Sequence, residues 1–446
     1  MATFGLFAPS GFLADPTAVD RAEMALLARG HLVKRDRSLL CCEQRFAGSD
    51  DERIAAIERM ASDPDIDVAM AARGGYGISR LLGRIDFTRL AAARKIWVGH
   101  SDLTATHLPL LASGATSGIQ GPMAAADLGA ATPSDFALDH LLRLLETGED
   151  HFDVALPQPW RGELKGRLWG GNLTMLLHLL GTQWWPAIPG GILFLEDISE
   201  PPFRIERMLY QLHHAGVLAT QQAVLLGDFG GYRIGAPDNG YDMDAVVAHL
   251  RTRFDIPILT SLPFGHIPDK VSLPLGTEAH VRSDAAGWRL DCALGPDVKP
   301  IKPLPFTVRR AEWANDLARL RAVRHPVFVV EQQVPEDLEW DAIDPNCLHA
   351  LAVDAAGTPI GTARLLPDGH IGRVAVVKAW RGKDVGVALM RWMLAAASAG
   401  GHKAVALNAQ TSAADFYTRL GFVVTGPEFM EANIPHLPMT LALAAR

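Results

Sequence analysis

Apolar and polar residues alternate over the first 150 residues in a pattern that predicts β-strands followed by helices. Short apolar runs, which predict strands, occupy residues 3–8, 67–72 and 95–99. Residues 15–29 and 102–111 space their apolar positions as amphipathic helices do. A strand followed by a helix, repeated along a chain, is typical of a parallel sheet that is covered by helices.

The pattern changes between residues 156 and 300, where glycine and proline are frequent and the apolar runs are short. Strands are predicted at residues 191–195, 223–226 and 279–283, and one helix at residues 203–215. The proline-rich segment 294–305 that follows is typical of a linker. We therefore predict a second, smaller domain of mixed α/β structure that ends at this linker.

The chain beyond the linker predicts a third domain, of α+β type. Its predicted strands and helices, in chain order, are residues 348–354, 359–366, 371–377, 386–397, 404–407 and 413–420. The domain boundaries predicted from the sequence are therefore 1–155, 156–300 and 306–446.

Composition and charge narrow the classes of function. A formal net charge of −8 and a pI of about 6.0 argue against a nucleic-acid-binding surface. No apolar stretch reaches the roughly 18–20 residues of a membrane span, and the N-terminus lacks the basic region of a signal peptide. The four cysteines show no metal-ligand spacing. We expect a cytoplasmic protein that binds neither nucleic acid, membrane nor metal.

Ser101 lies where a predicted strand turns into a helix, within the sequence Gly-His-Ser-Asp. A serine on such a turn exposes its hydroxyl at the carboxyl edge of the sheet, and the amide of Asp102 then points toward developing negative charge. The glycine expected two residues after such a nucleophile is replaced by Leu103. Taken alone, Ser101 therefore fits a helix N-cap better than a nucleophile.

Other segments place polar groups next to predicted strands. Residues 73–77 form a glycine-rich turn whose amides could supply an oxyanion donor, and Glu196 and Asp197 end a strongly apolar strand. His266 lies in a loop framed by glycine and proline. Each segment also has an ordinary structural explanation, as a tight turn, as solvated acids or as an incidental histidine.

Taken together, these segments resemble the serine LD-carboxypeptidase (muramoyltetrapeptide carboxypeptidase) family over about residues 2–300. The motifs that carry the resemblance occur in the family's order, at residues 7–11, 73–77, 99–102, 170–173, 195–197 and 265–266. The resemblance implies a doubly wound N-terminal domain, similar to flavodoxin and class I glutamine amidotransferases, and a smaller mixed α/β domain after it.

The resemblance also implies the roles of the site residues. Ser101 is the nucleophile, His266 the general base and Glu196 the carboxylate that orients the histidine, while the amides of Gly75 and Asp102 hold the oxyanion. The implied substrate is a murein tetrapeptide in cell-wall recycling, from which a D-amino acid, D-alanine, is released. The peptidase needs no cofactor.

Two alternatives remain for the peptidase. The same family includes microcin-immunity peptidases, which cleave a peptidyl-nucleotide, and Trp184 and Trp185 could form the aromatic wall that such a substrate needs. Substrate detail also stays open at Glu206 and Gln120, where the family often has Asp and His. A zinc site built from the histidines of residues 100–107 has no supporting ligand elsewhere in the sequence.

Residues 306–446 resemble the GCN5-related N-acetyltransferase (GNAT) superfamily, whose strand, loop and helix match residues 371–388. The loop presents backbone N–H groups to the pyrophosphate of acetyl-CoA at a helix N-terminus. Asp384 replaces the first glycine of the pattern Arg-x-x-Gly-x-Gly, and its carboxylate should repel the pyrophosphate. The implied cofactor contacts are Val374, Val376, Arg381, Gly382, Val385, Gly386, Ala388 and Asn408.

The closing helix of this domain carries Tyr417, which the resemblance implies protonates the departing thiolate. Tyr417 could instead only pack against the cofactor or the core. Glu331 or His436 could take the proton of the acceptor amine. A degenerate coenzyme A fold, used for binding or dimerisation, is the alternative that Asp384 favours. We expect the protein to form a homodimer.

Overall fold

The computed structural model describes residues 2–443, which form two compact units. The large unit comprises Ala2–Ala14 and Lys34–Lys302. The small unit comprises Asp15–Val33 together with the chain from Pro303 onward. Among the described residues, no helix is both long and apolar enough to cross a membrane.

Strands and helices follow one another along the whole chain. The first third of the chain forms β1 (Thr3–Phe7), α1 (Thr17–Leu27), β2 (Leu32–Arg35), α2 (Asp50–Ser62), β3 (Val68–Ala71), α3 (Phe87–Ala92), β4 (Ile96–Gly99), α4 (Thr104–Ala112), β5 (Gly118–Gln120), α5 (Asp135–Thr147) and β6 (Glu149–Val154). The next segment forms β7 (Gly162–Asn172), α6 (Leu173–Leu179), β8 (Ile192–Glu196), α7 (Pro202–His214), β9 (Ala223–Leu226), α8 (Met243–Arg253), β10 (Ile258–Leu259), β11 (Leu273–Pro274), β12 (Glu278–Ser283) and β13 (Trp288–Ala293). The last segment forms β14 (Phe306–Ala311), α9 (Trp313–Arg324), α10 (Glu336–Glu339), β15 (Leu348–Asp354), β16 (Pro359–Leu365), β17 (Ile371–Val376), α11 (Val385–Ala399), β18 (Ala404–Gln410), α12 (Ala414–Arg419), β19 (Val423–Val424), β20 (Phe429–Glu431) and β21 (Ile434–Ala442).

A six-stranded sheet of order β11-β5-β4-β3-β1-β2 holds the first strands of the chain. The strands β1, β3, β4 and β5 are parallel to one another, and β11 pairs antiparallel with β5. Every residue of β3 and β4 is buried, as expected for apolar strands that are covered on both faces. The parallel α/β arrangement predicted from the alternating pattern is confirmed.

A seven-stranded mixed sheet of order β10-β9-β8-β7-β12-β13-β6 follows in the large unit. Its β7, β8, β9 and β10 are parallel, whereas β12, β13 and β6 pair antiparallel. The predicted strands of this region are present as β8, β9 and β12, and the predicted helix is α7. The mixed α/β structure predicted after residue 156 is therefore confirmed.

The small unit contains two antiparallel sheets. One has the order β14-β15-β16-β17, and the other has β18-β21-β19 with β20 paired to β21. The two sheets meet at a single parallel bridge between His370 and Ala406, and beyond it β17 and β18 are not paired. A cleft therefore opens between these two strands.

Helix α1 also belongs to the small unit, although it lies near the start of the chain. Its Leu27 is 1% exposed and belongs to the same core as Phe306 and Leu389, and Met24 packs against that core. The amphipathic spacing predicted this helix but not the core that it completes. The domain boundaries inferred from the sequence stay predictions.

The proline-rich linker of residues 294–305 has buried residues among its exposed ones. Ile301 and Leu304 are 7% and 5% exposed. The backbone N–H of Ile301 donates to Leu145 in the large unit, and that of Leu304 donates to Gly30 in the small unit. Both ends of the linker are therefore fixed to the unit in which they lie.

Candidate active site

Ser101 begins a short 3₁₀ turn between β4 and α4. Its φ of 60° is left-handed, a conformation that costs a non-glycine residue about 1–3 kcal/mol and that concentrates at functional sites. No side-chain cap hydrogen bond forms at the start of either the turn or α4. The helix N-cap explanation for Ser101 therefore has no hydrogen bond to support it.

The glycine-rich turn of residues 73–77 contacts the Ser101 turn. A Cβ atom at Gly74 would lie 2.9 Å from Ser101 Cβ, 3.0 Å from its Oγ and 3.4 Å from the backbone N of Asp102. Only glycine allows this close approach. The backbone of Gly74, the residue before Gly75, therefore lies beside the hydroxyl of Ser101. The turn that was predicted to hold an oxyanion therefore lies at Ser101.

The Asp102 side chain anchors the turn. It is fully buried, and its Oδ2 accepts hydrogen bonds of 2.7 Å from Ser10 Oγ and 3.0 Å from the backbone N–H of Ile78. Burial raises the pKa of this carboxyl above its usual range, although the two hydrogen bonds oppose that shift. The side chain holds the loops together and leaves the backbone amide for the predicted oxyanion contact.

His266 and Glu196 form a hydrogen bond between separate parts of the chain. Glu196 ends β8 and is fully buried, and its Oε2 lies 2.8 Å from His266 Nδ1. Asn172, at the end of the neighbouring parallel strand, donates from Nδ2 to Glu196 Oε1 at 3.1 Å. A carboxylate only accepts, so the imidazole proton lies on Nδ1 and Nε2 is free to take a proton.

The pKa of His266 reflects two opposing effects. Burial would lower it, but the hydrogen bond and the charge of Glu196 outweigh burial and raise the pKa above its ordinary value. An imidazole with a buried carboxylate on one nitrogen is a stronger base at the other. The pair is therefore electrostatically suited to general base chemistry.

Asp197, the other acid at this strand end, does not contact the histidine through a hydrogen bond. Its carboxylate accepts bonds from the N–H and Oγ1 of Thr174 at 2.9 and 2.7 Å, and from the N–H of Ile198 at 2.9 Å. Its lone pairs are thus used to fix the start of α6 and the next loop. Glu196 is the carboxylate that faces His266.

The serine turn and the histidine loop meet through His100. The rings of His100 and His266 pack edge to face with centroids 5.1 Å apart. His100 directly precedes Ser101, so residues from β4, β8 and the loop before β11 are brought together at the strand ends. This is the edge at which open α/β sheets bind their ligands.

Sequence reasoning missed His100 and Lys270 at this site. Lys270 is 1% exposed, and its Nζ lies 2.6 Å from Asp127 Oδ1 and 3.5 Å from His100 Nε2. His100 stood inside the nucleophile motif, and this position was a usable signal. A single lysine in a proline-framed loop offers no such signal.

The residues of the two alternative sites, an aromatic wall and a zinc site, make contacts within the fold. Trp185 packs edge to face on Trp169 with ring centroids 5.5 Å apart, and Trp184 is partly buried against the core of the large unit. His107 is buried, and burial lowers its pKa to about 3. Within residues 2–443 no group of three or more His, Cys, Asp or Glu side chains could hold a metal ion.

A cavity of about 180 Å³ lies in the cleft between β17 and β18 of the small unit. Tyr417, Asn408, Val374 and His436 line it, all four of which the sequence had singled out. Burial raises the pKa of Tyr417 to about 12, so its hydroxyl keeps its proton. Residues that the sequence assigned to the cofactor, to the proton donor and to the base are therefore brought together in one cavity.

The loop that should hold the pyrophosphate fits less well. Asp384 starts α11 with a left-handed φ of 61°, and its side chain makes no capping hydrogen bond. Arg381 forms two contacts of 2.7 Å with the carboxylate of Glu331, and its Nε donates to the carbonyl of Val376 at 3.0 Å. Both the aspartate and the paired arginine reduce the positive potential of the loop.

The other predicted cofactor contacts divide by burial. Val385 and Ala388 are 1% and 0% exposed and belong to the core of the small unit, so their side chains do not face a ligand. A Cβ atom at Gly386 would lie 3.9 Å from the side chain of Val376, so these two predicted contacts are neighbours. Gly382 has a φ of +73°, which suits a loop that turns its amides outward.

The two bases considered for the acceptor amine are placed differently. The hydrogen bond from Arg381 lowers the pKa of Glu331, which makes it a poor base. His436 lines the cavity of Tyr417, and its Nδ1 lies 2.8 Å from the carbonyl of Ile434. A carbonyl only accepts, so Nε2 of His436 is the nitrogen without a proton.

Comparison with family models finds matches in three parts of the chain. Residues 4–121 match the LD-carboxypeptidase N-terminal domain, and residues 165–281 match the LD-carboxypeptidase C-terminal domain. Residues 322–443 match the acetyltransferase (GNAT) domain.

Individual proteins agree with these matches. The probable murein peptide carboxypeptidase of Bacillus subtilis is 30% identical over 280 residues, which are 62% of this chain and 88% of that protein. The crystal structure of muramoyltetrapeptide carboxypeptidase from Oxalobacter formigenes is similar with a TM-score of 0.62 and 41% identity, over 66% of this chain and 100% of that chain. The microcin C7 self-immunity protein MccF of Escherichia coli is 25% identical over 269 residues, 53% of this chain and 77% of that protein.

Proposed function

This chain belongs to the LD-carboxypeptidase family and carries a GNAT domain, and we propose that it releases the terminal D-alanine of murein tetrapeptides in cytoplasmic cell-wall recycling. The observation that carries the proposal is the 2.8 Å hydrogen bond between the buried Glu196 and the partly exposed His266, next to the left-handed Ser101 turn. A carboxylate, an imidazole with a free Nε2 and a serine hydroxyl are the parts of a nucleophilic triad.

The proposed reaction begins when His266 Nε2 takes the proton of Ser101 and the serine oxygen attacks the carbonyl of the residue before D-alanine. The amides of Gly75 and Asp102 stabilise the oxyanion. His266 then gives its proton to the amine of the departing D-alanine, and water releases the acyl group by the same route. Each step uses a side chain or an amide of this chain, so the peptidase needs no cofactor.

A peptidyl-nucleotide is the alternative substrate, and the similarity to MccF supports it. Such a substrate would need Trp184 and Trp185 to form an aromatic wall of the binding site, but Trp185 is packed against Trp169. The 41% identity to a muramoyltetrapeptide carboxypeptidase, over the whole of that chain, favours the murein peptide.

The test measures release of D-alanine from a murein tetrapeptide by the full chain and by Ser101→Ala. The variant should fold normally and lose at least about a thousandfold in turnover. The double variant Ser101→Ala/His266→Ala should lose little more, because triad members act as a unit. Full activity in Ser101→Ala, or losses that multiply in the double variant, would contradict the triad.

Stereochemistry tests the substrate class separately. The enzyme should release D-alanine that follows an L-centre and should leave the all-L peptide intact. Equal rates on both peptides would indicate a general serine peptidase. Turnover of a peptidyl-nucleotide with no release of D-alanine from the tetrapeptide would favour the alternative.

We propose acetyl transfer from acetyl-CoA to an amine as a second activity, in the small unit. The partly buried Tyr417 in the cleft supports it, and the aspartate at position 384 argues for weak cofactor binding. Calorimetric titration of acetyl-CoA into the full chain tests the proposal. An absence of binding at millimolar concentration would instead support a degenerate domain used for binding or dimerisation. The homodimer stays a prediction.

A further inference from the structure

The proposed mechanism gives no role to a buried ion pair that lies close to His266. Lys270 Nζ contacts Asp127 Oδ1 at 2.6 Å and His100 Nε2 at 3.5 Å. Asp127 is itself fixed, because its Oδ2 accepts a hydrogen bond of 2.7 Å from the backbone N–H of Met123. We refer to Lys270, Asp127 and His100 as the Lys270 network.

The network defines the protonation of His100. Nδ1 of this ring lies 3.0 Å from the carbonyl oxygen of Gly121, which can only accept, so Nδ1 carries the proton. Nε2 then carries a lone pair that faces the ammonium of Lys270. Burial, and after it the charge of Lys270, hold the pKa of His100 well below its ordinary value.

A neutral His100 matters because of its neighbour. The ring of His266 lies 5.1 Å away and becomes an imidazolium in each proposed proton transfer. A second imidazolium at this distance would repel it, and at an effective dielectric constant of about 20 the repulsion would slow the reaction by more than about tenfold. The reaction is therefore faster when His100 has no charge.

Asp127 is the group that would give His100 a charge. Its Oδ2 lies 3.9 Å from His100 Nδ1, close enough for a carboxylate to attract a proton to the ring. Besides Lys270 and Asp127, the titratable groups that act on His100 are His266 and His107, and His107 is buried and neutral. After burial, the charge of Lys270 is thus the main effect that opposes protonation of His100.

We propose that Lys270 is a positioning residue of the carboxypeptidase reaction, which neutralises Asp127 and so keeps His100 uncharged beside His266. This inference rests on the proposed function, because it needs His266 to act as the general base. Lys270 is 1% exposed and acts through its charge, which opposes protonation of His100 and, as one of the smaller effects on His266, also lowers the pKa of that residue.

The test compares kcat and KM for D-alanine release by the full-length wild type and Lys270→Met from about pH 6 to about pH 9. Methionine keeps the length of the side chain and removes its charge. Asp127 should then promote protonation of His100 as the pH falls. The deficit in kcat relative to wild type should grow at least about tenfold from the alkaline to the acid end, with little change in KM.

The double variant Lys270→Met/Asp127→Asn provides the decisive comparison. Asparagine keeps an oxygen for the N–H of Met123 and removes the charge that attracts the proton, so the pH-dependent deficit should disappear. Lys95→Met removes a lysine that binds backbone carbonyls elsewhere in the large unit, and it should not produce that deficit.

The outcomes separate this inference from the proposed function. Wild type that releases no D-alanine would overturn the proposed function. Active wild type with a Lys270→Met deficit that is equal at all pH values, or that the second substitution does not remove, would overturn the role of Lys270 alone. Thermal melting of each variant identifies losses that come from unfolding.

Discussion

Glu196→Gln should slow the peptidase by changing the position of one proton. The substitution keeps the shape of a fully buried side chain whose Oε1 accepts from Asn172 Nδ2 at 3.1 Å. Since that Asn172 group can only donate, the new amide should turn its oxygen toward Asn172 and its NH₂ toward His266 Nδ1. The imidazole proton then moves to Nε2, the nitrogen that has to accept the proton of Ser101.

The expected magnitude follows from this geometry. A wrong tautomer together with the loss of a charge 2.8 Å from the imidazole should lower kcat by about a thousandfold or more. The pKa of His266 should fall as well, because burial still lowers it while the hydrogen bond and charge of Glu196 no longer raise it. A base with a lower pKa stays deprotonated to lower pH, so the acid limb of kcat/KM should move to lower pH.

The assay is D-alanine release across the pH range for wild type, Glu196→Gln and the control Asp197→Asn. The Asp197 carboxylate accepts its bonds from Thr174, from Ile198 and, at 3.3 Å, from Asn172 Nδ2. The control should therefore destabilise the fold by about 1–3 kcal/mol and move the acid limb less. A Glu196→Gln enzyme that keeps most of its activity would refute the reasoning. An acid limb that moves to higher pH would refute it too.

Three further predictions concern the small unit. Asp384→Gly should increase the affinity for coenzyme A about fivefold, as measured by calorimetry. Removal of one like charge in a partly solvated site contributes about 1 kcal/mol, and glycine accepts the left-handed φ of 61°. Unchanged affinity would contradict this prediction. Tyr417→Phe should lower acetyl transfer without weakening coenzyme A binding, and parallel losses of both would make Tyr417 a packing residue. Leu27→Ala should destabilise the small unit by about 2–5 kcal/mol, seen as a lower midpoint of its calorimetric transition, because Leu27 is 1% exposed in that core. An unchanged midpoint would show that α1 does not contribute to the unit.

The sequence by itself determined many of the buried strands, the order of the motifs and the departure at Asp384. Continuous apolar runs such as β3 and β4 can only be buried, so they predict parallel strands without further information. Ser101, Glu196 and His266 were assigned through the family resemblance, on motifs at two strand ends and in one loop. The same local reasoning identified Asp384 as a replacement of a glycine, and its φ of 61° is in the left-handed region that glycine favours.

Only the tertiary structure decided which side chains meet. Glu196 and Asp197 are adjacent in sequence, yet one faces His266 and the other faces Thr174, because successive residues at a strand end point in different directions. The sequence assigned Arg381 to the cofactor and Glu331 to the acceptor amine. The two residues are 50 positions apart, and their ion pair makes Arg381 less available to the pyrophosphate and Glu331 a poorer base.

The location of α1 and the Lys270 network are further contacts that no local pattern encodes. An amphipathic helix specifies that one face is buried but not which core buries it, and α1 completes the core of the small unit. Lys270 and Asp127 are 143 residues apart, and a buried lysine looks in sequence like any surface lysine. Burial of its charge depends on a partner that only the fold supplies.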